Sequence, residues 1–368
     1  MKATSPPTIR PVKVGVLGCG AHAHIHGRVV SDAPGAVLAA CADIDAAKAA
    51  DWAARWHCGA SFGSLSDMLT ATDLDAVILA TWPVGHAAEI AACLNRGVKY
   101  ILCEKALCLS GEEASSILEQ SRSAGAVVLE AVMYRYHPAI GRLEELLASG
   151  SLGRIDSIRA VFSNFEPDSP TPGKTKDWRL KAECGGGVSH DWMSYCVNAA
   201  NYLAGGVPTR VFASGTRGSE SGVVTSLFAQ IEYSNGVTAS LESSRNGSFS
   251  QLLSVCTEGG RLNLPVAWGI FGDVTLSVER RKPEWDYIVT ERFPITHRNP
   301  FALQFAHFLE VAAGQGTPRI PLIESVVNAY TIDAILSSAR AHEAVAQILP
   351  ENISAERISA QPMRKEHP

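Results

Sequence analysis

The chain has 368 residues, which at roughly 150 residues per domain predicts two domains. Apolar types make up 46% of the chain and charged types 19%, a composition that excludes an intrinsically disordered protein. The net charge of -5 argues against a nucleic-acid partner, and no apolar run reaches the roughly 18 residues that a membrane helix needs. The nine cysteines include no C-x-x-C pair, so we expect free thiols in a cytoplasmic protein. Residues 1–13 are polar and proline-rich, so we expect no secretory signal there.

The first third of the chain alternates short apolar runs with alanine-rich stretches of helical character. Each apolar run has the length of a strand, and the stretches between them are long enough for helices. Strands that alternate with helices lie parallel in a doubly wound α/β sheet. The predicted strands are 12–17, 37–42, 76–80, 98–102 and 126–130, and the predicted helices are 22–32, 46–57, 84–96 and 111–124.

The pattern changes after about residue 150, where apolar residues mostly alternate with polar ones from 155 to 289. Asn235-Gly236 between two such runs is a hairpin signal, so this part predicts an antiparallel sheet. One helix, 191–203, interrupts it, and Asn299-Pro300 opens a later one. The predicted domains are 10–132 and 133–345, with a last helix at about 323–346 that packs back on the first domain and tails at 1–9 and 347–368.

A glycine-rich motif, Gly18-Cys19-Gly20-Ala21-His22-Ala23, follows the first predicted strand and opens the first predicted helix. In a G-x-G-x-x-A pattern the first glycine permits a tight turn, and the second lets the backbone approach a pyrophosphate. The small last residue lets helix and strand pack closely, and the helix N-terminus supplies N–H groups to phosphate oxygens. The cofactor-binding residues predicted here are Gly18, Cys19, Gly20, Ala21 and His22.

An acidic residue, Asp43, ends the second predicted strand. A carboxylate at this position can accept hydrogen bonds from both ribose hydroxyls of a dinucleotide. It would also repel a 2′-phosphate, and the next two residues, Ile44 and Asp45, offer no basic group. The sequence therefore favours NAD over NADP.

Five further motifs follow in order along the chain. They are Thr81-Trp82-Pro83-Val84-Gly85-His86, Cys103-Glu104-Lys105, Glu130-Ala131-Val132-Met133-Tyr134-Arg135-Tyr136-His137-Pro138, Asp177-Trp178-Arg179 and Gly185-Gly186-Gly187-Val188-Ser189-His190-Asp191. Together they resemble the glucose–fructose oxidoreductase / inositol dehydrogenase (Gfo/Idh/MocA) family, over nearly the whole chain. The resemblance implies an N-terminal Rossmann domain and a C-terminal α+β domain with an open antiparallel sheet, usually used to form a homodimer or homotetramer.

The same resemblance implies three catalytic residues. Glu104-Lys105 match the first two residues of the family's Glu-Lys-Pro motif, in which the lysine is catalytic, while Ala106 stands in place of the proline. Asp191 and Tyr195 lie one helical turn apart, and many members have histidine where this chain has Tyr195. An Asp…Tyr pair is similar to the branch with dihydrodiol and NADP-type xylose dehydrogenases, in which lysine and tyrosine act together. We expect the neighbouring Lys105 ammonium and the charge of the oxidised nicotinamide together to lower the pKa of Tyr195.

The remaining site residues are also implied by the resemblance. Thr81, Trp82, His86 and Glu104, together with Lys105, are expected to bind the cofactor, with Trp82 adding an apolar wall. The expected substrate-side residues are Arg135, Trp178, Arg179 and His190, of which His190 could replace Tyr195 as acid or base.

Three histidines, at 22, 24 and 26, resemble a metal cluster, but only His22 and His26 share a helix face, and we see no acidic or thiol partner at metal-ligand spacing nearby. We expect no metal, and one histidine near the pyrophosphate.

The function expected from these observations is an NAD(P)-dependent oxidoreductase that moves hydride between nicotinamide and a secondary alcohol or ketone of a sugar-like cyclic molecule. Two alternatives stay open at this point. One is a glycoside-cleaving enzyme that uses bound NAD without net redox change, and the other is a catalytically silent NAD-binding sensor.

Overall fold

The computed structural model describes residues 10–169, 178–269, 271–282, 287–346 and 348–360. Asp177, at the start of the motif that ends in Arg179, lies outside the described residues. Two sheets organise the chain, one of six strands and one of nine.

The first sheet is parallel throughout, in the order β3-β2-β1-β4-β5-β6. Its strands are β1 (Val12–Leu17), β2 (Ala36–Ala42), β3 (Ser61–Phe62), β4 (Ala76–Leu79), β5 (Tyr100–Glu104) and β6 (Val127–Ala131). The helices between them are α1 (Ala21–Ser31), α2 (Ala46–Trp56), α3 (Leu65–Ala71), α4 (Pro83–Asn95) and α5 (Gly111–Ser123). The predicted doubly wound sheet is confirmed, and only the short β3 and α3 were not predicted, because their apolar runs are too brief to show a period.

The second half carries the larger sheet and its covering helices. In chain order they are α6 (Pro138–Ala148), β7 (Ile155–Ser163), α7 (Met193–Ala204), β8 (Pro208–Arg217), β9 (Val224–Tyr233), β10 (Thr238–Ser244), β11 (Leu253–Thr257), β12 (Gly260–Leu264), β13 (Val274–Lys282), β14 (Tyr287–Ile295), α8 (Pro300–Ala312), α9 (Leu322–Ala341), β15 (Val345–Ala346) and α10 (Glu351–Ala360). Short 3₁₀ turns lie at Met133–Tyr136, Trp178–Leu180 and Ala182–Cys184.

The larger sheet has the order β14-β13-β12-β11-β7-β10-β9-β8-β15. Its pairs are antiparallel except that β7 and β10 run parallel, and the predicted hairpin at Asn235-Gly236 joins β9 to β10. The α+β domain with an open, mostly antiparallel sheet is therefore confirmed. Helices α7 and α9 pack against this sheet, so their apolar side chains fill its core.

Two C-terminal helices also contact the first domain. On α9, the Asp333 carboxylate accepts the N–H of Gly111 at 2.7 Å, and the Tyr330 hydroxyl lies 3.2 Å from Ser115 Oγ, both on α5. On α8, Phe305 and Phe308 are buried in the core of the first sheet. The expected boundary at 132/133 therefore separates the strands of the two sheets. It does not separate the two cores completely, because α8, from the second half of the chain, packs on the first sheet.

The expected end of the chain needs two corrections. The last long helix ends at Ala341 and not near 346, because His342 takes a left-handed conformation with φ of 58° and the next residues pair with β8. The expected tail from 347 is not a tail over its described part, because Ile348, Leu349 and Ile353 are buried and α10 packs on α9.

All nine cysteines are free thiols, as expected. Among the described residues, no helix combines the length and the apolar character that crossing a membrane requires.

Candidate active site

The glycine loop lies at the carboxyl edge of the first sheet, between β1 and α1. Gly18 has φ of +85°, and a Cβ there would meet the Ala80 carbonyl oxygen at 2.8 Å, so any other residue would be strained. Ala23, the small residue of the motif, is fully buried beneath α1. The predicted loop and its packing therefore match the structure.

The space above this loop suits a pyrophosphate. A Cβ on Gly20 would meet no protein atom within 4 Å, so the protein itself does not require glycine there. Gly20 caps α1 without any side-chain hydrogen bond, which leaves the first N–H groups of the helix, at Ala21 and His22, for a ligand. Open space over unpaired helix N–H groups is what a phosphate oxygen requires, so the residues present fit a dinucleotide.

Asp43 follows β2 and is tied to the glycine loop. Its Oδ2 accepts the N–H of Cys19 at 2.8 Å, and its Oδ1 accepts the N–H of Asp45 at 2.9 Å. The carboxylate is therefore fixed beside the loop, at the position expected for a ribose partner.

A buried ion pair joins the two domains next to this loop. Lys105, directly after β5, donates from Nζ to the Asp191 carboxylate and lies 3.1 Å from the Asp191 carbonyl oxygen. Arg179 donates from Nε to the second carboxylate oxygen of Asp191 at 2.6 Å. Burial alone would raise the pKa of Asp191, but the two cations hold that pKa far below its ordinary value. Asp191 is thus an anion between two cations.

Lys105 also reaches Tyr195. Its Nζ lies 4.6 Å from the centre of the Tyr195 ring, over the ring face, while the Tyr195 hydroxyl contacts Met133 Sδ at 3.9 Å. The peptide bond between Lys105 and Ala106 is cis. The structure therefore brings the three predicted catalytic residues, Lys105, Asp191 and Tyr195, together.

The expected electrostatic effect on Tyr195 is only partly present. Burial raises the pKa of Tyr195, and the Lys105 ammonium opposes this rise without cancelling it. Lys105 by itself therefore does not lower the pKa of Tyr195 below its ordinary value, because desolvation of the phenolate outweighs one neighbouring cation. The ring also packs against Phe162, Trp268 and Tyr134, with ring centres 5.5, 6.2 and 6.0 Å away.

Glu104, expected to bind cofactor, is instead buried and paired inside the protein. Its Oε1 lies 2.8 Å from His26 Nε2, and its Oε2 accepts the N–H of Lys105 at 3.3 Å. Burial would raise the pKa of Glu104, but His26 with the nearby His22 and Lys105 lowers that pKa to about 2. Glu104 therefore acts on the site through the backbone of Lys105, and the sequence had not indicated His26 as its partner.

The turn after β4 also contributes through its backbone. His86 is fully buried, with Nδ1 2.9 Å from the Ala106 carbonyl oxygen and Nε2 3.3 Å from that of Thr81. In this structure His86 bridges two loops, and its expected contact with a cofactor stays a prediction. Thr81 donates its hydroxyl to Glu89, whereas Trp82 is partly exposed with Lys181 Nζ 5.5 Å from its ring centre.

Arg135, expected on the substrate side, lies elsewhere. It is 1% exposed, donates to Glu324 at 3.2 Å and stacks over the Tyr202 ring at 3.3 Å. Its charge is therefore paired inside the protein, and in this structure Arg135 lies away from the exposed side of the site.

His190, the other expected acid or base, is also held inside. Its Nε2 lies 3.3 Å from the Leu109 carbonyl oxygen and its Nδ1 lies 3.2 Å from Ser189 Oγ. Burial lowers the pKa of His190 to about 4, so the ring is neutral at pH 7 and both nitrogens have partners. Trp178 and Arg179, in contrast, remain partly exposed beside Asp191.

The three histidines of α1 have separate environments. His24 Nδ1 accepts the Trp56 indole N–H at 3.0 Å, His26 pairs with Glu104, and His22 is exposed at the loop. In the described part of the chain, no group of three or more His, Cys, Asp or Glu side chains is arranged to hold a metal ion.

The sequence analysis did not identify the polar residues that line a small cavity together with Lys105. Glu130 Oε1 accepts the N–H of Leu107 at 2.9 Å, and Asn198, Ser325 and Asn328 lie with it around one small cavity. Glu130 could have been found, because it lies at the carboxyl end of β6 next to β5. The α9 residues could not, because only the tertiary fold brings them there.

Comparisons with known proteins agree with this architecture. Residues 12–132 match the model of an oxidoreductase family with an NAD-binding Rossmann fold, and residues 140–263 match that of the GFO/IDH/MocA C-terminal domain. D-xylose 1-dehydrogenase (NADP(+)) 2 of Haloferax volcanii is 34% identical over 307 residues, 83% of this chain and 91% of that protein. Trans-1,2-dihydrobenzene-1,2-diol dehydrogenase of Bos taurus is 26% identical over 302 residues, 81% of this chain and 87% of that protein.

Solved structures with the same fold cover most of this chain. KijD10, a 3-ketoreductase from Actinomadura kijaniata in complex with NADP and TDP-benzene, superposes with a TM-score of 0.80 at 25% identity, covering 89% of this chain and 98% of that one. A levoglucosan dehydrogenase in complex with NADH shares the fold, with a TM-score of 0.80 at 21% identity, covering 92% of this chain and 99% of that one. With matches over both domains and a relative of 34% identity, the chain belongs to the GFO/IDH/MocA family of NAD(P)-dependent oxidoreductases.

Proposed function

We propose that this chain transfers hydride between a nicotinamide dinucleotide and a secondary alcohol, or the matching ketone, of a sugar-like cyclic molecule. The observation that carries this proposal is the buried contact of Lys105 with Asp191 and Tyr195 beside the glycine loop. These groups come from segments far apart in sequence, and a lysine next to a tyrosine provides both an oxygen-binding cation and a proton carrier.

Each residue has a distinct role in the oxidative direction. Tyr195, as phenolate, takes the proton of the substrate hydroxyl, and Lys105 holds the hydroxyl oxygen and stabilises the phenolate. Asp191 accepts a hydrogen bond from Lys105 and so holds it in position, and Arg179 donates to the second carboxylate oxygen of Asp191. A bound nicotinamide supplies the hydride acceptor, and its positive charge adds to that of Lys105 in lowering the pKa of Tyr195.

We propose NAD as the preferred cofactor. The Asp43 carboxylate is held beside the glycine loop by two backbone N–H groups, so it cannot turn away from a 2′-phosphate. Lys48 and Arg55 line an opening next to Gly20 and are the cations that such a phosphate could use. The name of the 34% identical relative points to NADP, but a fixed carboxylate next to the ribose position opposes it.

The substrate class is proposed from the relatives. Their names concern D-xylose and a cyclic dihydrodiol, and both substrates are polyhydroxylated and lack a charge. Tyr195 within an aromatic cluster, next to Arg179, offers the combination of ring faces and donors that such molecules require.

The experiment is an absorbance assay at 340 nm with NAD or NADP and a panel of aldoses, inositols, anhydro-sugars and cyclic dihydrodiols. Reduction of the nucleotide with one member would support the proposal and identify the substrate class. Nucleotide binding without reduction, in this panel and in the reverse panel of ketones, would contradict it. Cleavage of a glycoside under those conditions would then favour the redox-neutral alternative, and no reaction would favour the sensor.

We also propose a cytoplasmic homodimer or homotetramer. The free thiols suit a reducing compartment. Phe212 on β8 and Phe228 on β9 are about half exposed (48% and 46%) on the face of the larger sheet that α7 and α9 do not cover. Exposed aromatic residues on one face of an open sheet favour burial against a second copy.

A further inference from the structure

Three buried polar atoms lie in the protein interior behind Lys105. Asn198 Nδ2 has no hydrogen-bond partner among the described residues, and Glu130 Oε2 and Ser325 Oγ lie near each other without completing an ordinary hydrogen bond, although the three residues are only 2%, 7% and 2% exposed. Buried polar atoms are nearly always hydrogen-bonded, so these atoms indicate a partner outside the protein chain. All three residues line one cavity, which Lys105 and Tyr195 also line.

The size and the polarity of this cavity match one water molecule. About 20 Å³ is available to the centre of a water molecule, and a single water needs roughly 10–15 Å³ of such space and at least two polar partners. Asn198 Nδ2 can only donate, Glu130 Oε2 can accept, and the Ser325 hydroxyl can do either. One water that accepts from Asn198 and donates to Glu130 and Ser325 satisfies all three atoms.

The cavity also connects the segments that carry the catalytic pair. Glu130 accepts the N–H of Leu107 through its other oxygen, and Leu107 lies two residues after Lys105. Asn198 follows Tyr195 by one turn of α7, where its Oδ1 accepts the Tyr134 hydroxyl at 2.6 Å. A ligand between Glu130 and Asn198 therefore links the Lys105 loop in one domain to the Tyr195 helix in the other.

We propose that this cavity is an ordered-water site, and that Glu130, through this water and through Leu107, is a positioning residue that sets Lys105 over the Tyr195 ring. The catalytic meaning of this arrangement rests on the proposed function. The water site and the Lys105–Tyr195 geometry do not depend on it. Glu130 acts as a hydrogen-bonding group in this arrangement and exchanges no proton with substrate. Its amide analogue can replace it, because glutamine keeps an acceptor for Leu107 and offers a donor to the water.

The first test is a high-resolution crystal structure of the protein. We expect one ordered water within hydrogen-bond distance of Glu130 Oε2, Asn198 Nδ2 and Ser325 Oγ. In Ser325→Val the added methyl groups should displace it, whereas Ser325→Ala should retain it. A cavity without density in the unmodified protein would overturn the water site.

The second test reads the Lys105–Tyr195 geometry without any turnover. An ammonium arm over an aromatic ring gives an upfield-shifted ε-methylene signal, observable by NMR with ¹³C-labelled lysine and assigned with Lys105→Arg. We expect Glu130→Gln to keep this shifted signal, and Glu130→Met and Ser325→Val to move it toward the ordinary lysine position. Ser338→Ala is the control. Ser338 is a buried serine on the same helix as Ser325, but its hydroxyl donates to the Glu343 carbonyl, so this variant should keep the shifted signal. An unmoved signal in both Glu130→Met and Ser325→Val would overturn the positioning role.

Kinetics then separate positioning from acid–base chemistry. We expect Glu130→Met to lower kcat about tenfold with little change in the KM of the nucleotide, and Glu130→Gln to restore most of the rate. An equal loss in Glu130→Gln would overturn the role stated here, because the charge and not the hydrogen bonding would then matter. Absence of turnover in the unmodified protein would count against the proposed function alone, since the first two tests do not depend on it.

Discussion

Lys105 and Asp191 form an ion pair across the junction of the two domains, with side chains only 8% and 3% exposed. Lys105 follows β5 of the first sheet, and Asp191 precedes α7 of the second domain. The pair is therefore both a structural connection and the centre of the proposed catalytic site.

Removing the charge of Asp191 should destabilise the protein strongly. In Asp191→Asn, Lys105 and Arg179 lose their shared anion, and breaking a buried pair from one side typically costs about 3–5 kcal/mol. Unfolding in denaturant would measure the loss. The matched control is Glu258→Gln, which breaks the exposed pair with Arg154 and should change stability little. Similar losses in both variants would show that the buried Asp191 pair contributes no more to stability than an exposed ion pair does.

Tyr195→Phe should remove the proton carrier and leave the fold unchanged. We expect turnover to fall about 100-fold or more while nucleotide binding, measured by fluorescence titration, stays the same. Tyr202→Phe is the control, because Tyr202 lies on the same helix but donates to Glu144 away from Lys105. Unchanged turnover in Tyr195→Phe would contradict the assignment of the tyrosine.

Local signals in the sequence were sufficient for the first sheet, whereas the proposed catalytic residues were predicted from the family resemblance. Gly18 and Lys105 follow the carboxyl ends of parallel strands, where the topology forces side chains to converge. The spacing of Asp191 and Tyr195 predicted one helical turn, but Asp191 precedes α7, and only Tyr195 lies on that helix. The chemistry of Lys105, Asp191 and Tyr195 came from the family resemblance.

Long-range contacts decided the positions that the sequence alone could not place. Arg135 stands in one of the family motifs, but it is buried and pairs with Glu324 on α9. His190 stands beside Asp191, but its ring reaches the Leu109 carbonyl on a different segment. Ser325 could not be connected with Glu130 at all, because a helix packing across two domains brings them to one cavity.

The cofactor preference can be tested at one side chain. Asp43→Asn keeps an oxygen for the Cys19 N–H but removes the charge that opposes a 2′-phosphate. Removing one like charge near the phosphate should increase the affinity for NADP relative to that for NAD by about tenfold. The two dissociation constants would be measured by fluorescence titration, with the exposed Asp45→Asn as control. An unchanged ratio would mean that Asp43 does not face the ribose.

Acid should destabilise the fold through His190. Burial lowers the pKa of His190 to about 4 in the folded protein, whereas the unfolded chain titrates near 6.5. The unfolded state therefore binds the extra proton first, so this stability is complete above about pH 6.5 and is lost as the pH falls toward 4. The shift corresponds to about 3 kcal/mol.

His190→Asn should flatten the dependence of the unfolding free energy on pH between 6.5 and 4. His137, whose pKa burial lowers to about 4, stays in the variant and keeps part of the slope. His57→Asn is the control, because His57 is exposed and asparagine accepts its left-handed backbone, with φ of 54°. A slope unchanged from that of the unmodified protein would contradict the buried neutral state of His190.

The outer face of the larger sheet should govern assembly. Register places Phe212 of β8 opposite Gln230 of β9, and Phe228 opposite Ser214, so both phenylalanines project from the same face. In Phe212→Glu a charge would replace one of the two phenylalanines on a face that also carries Arg210 and Glu232, and burying that charge in an interface without a partner is unfavourable. We expect the unmodified protein to be a dimer or tetramer and Phe212→Glu to shift toward the 39.2 kDa monomer in light scattering. Phe271→Glu, at a phenylalanine that is 76% exposed in the segment before β13, should leave the mass unchanged. A monomeric unmodified protein, or an oligomer that persists in Phe212→Glu, would exclude this face as the interface.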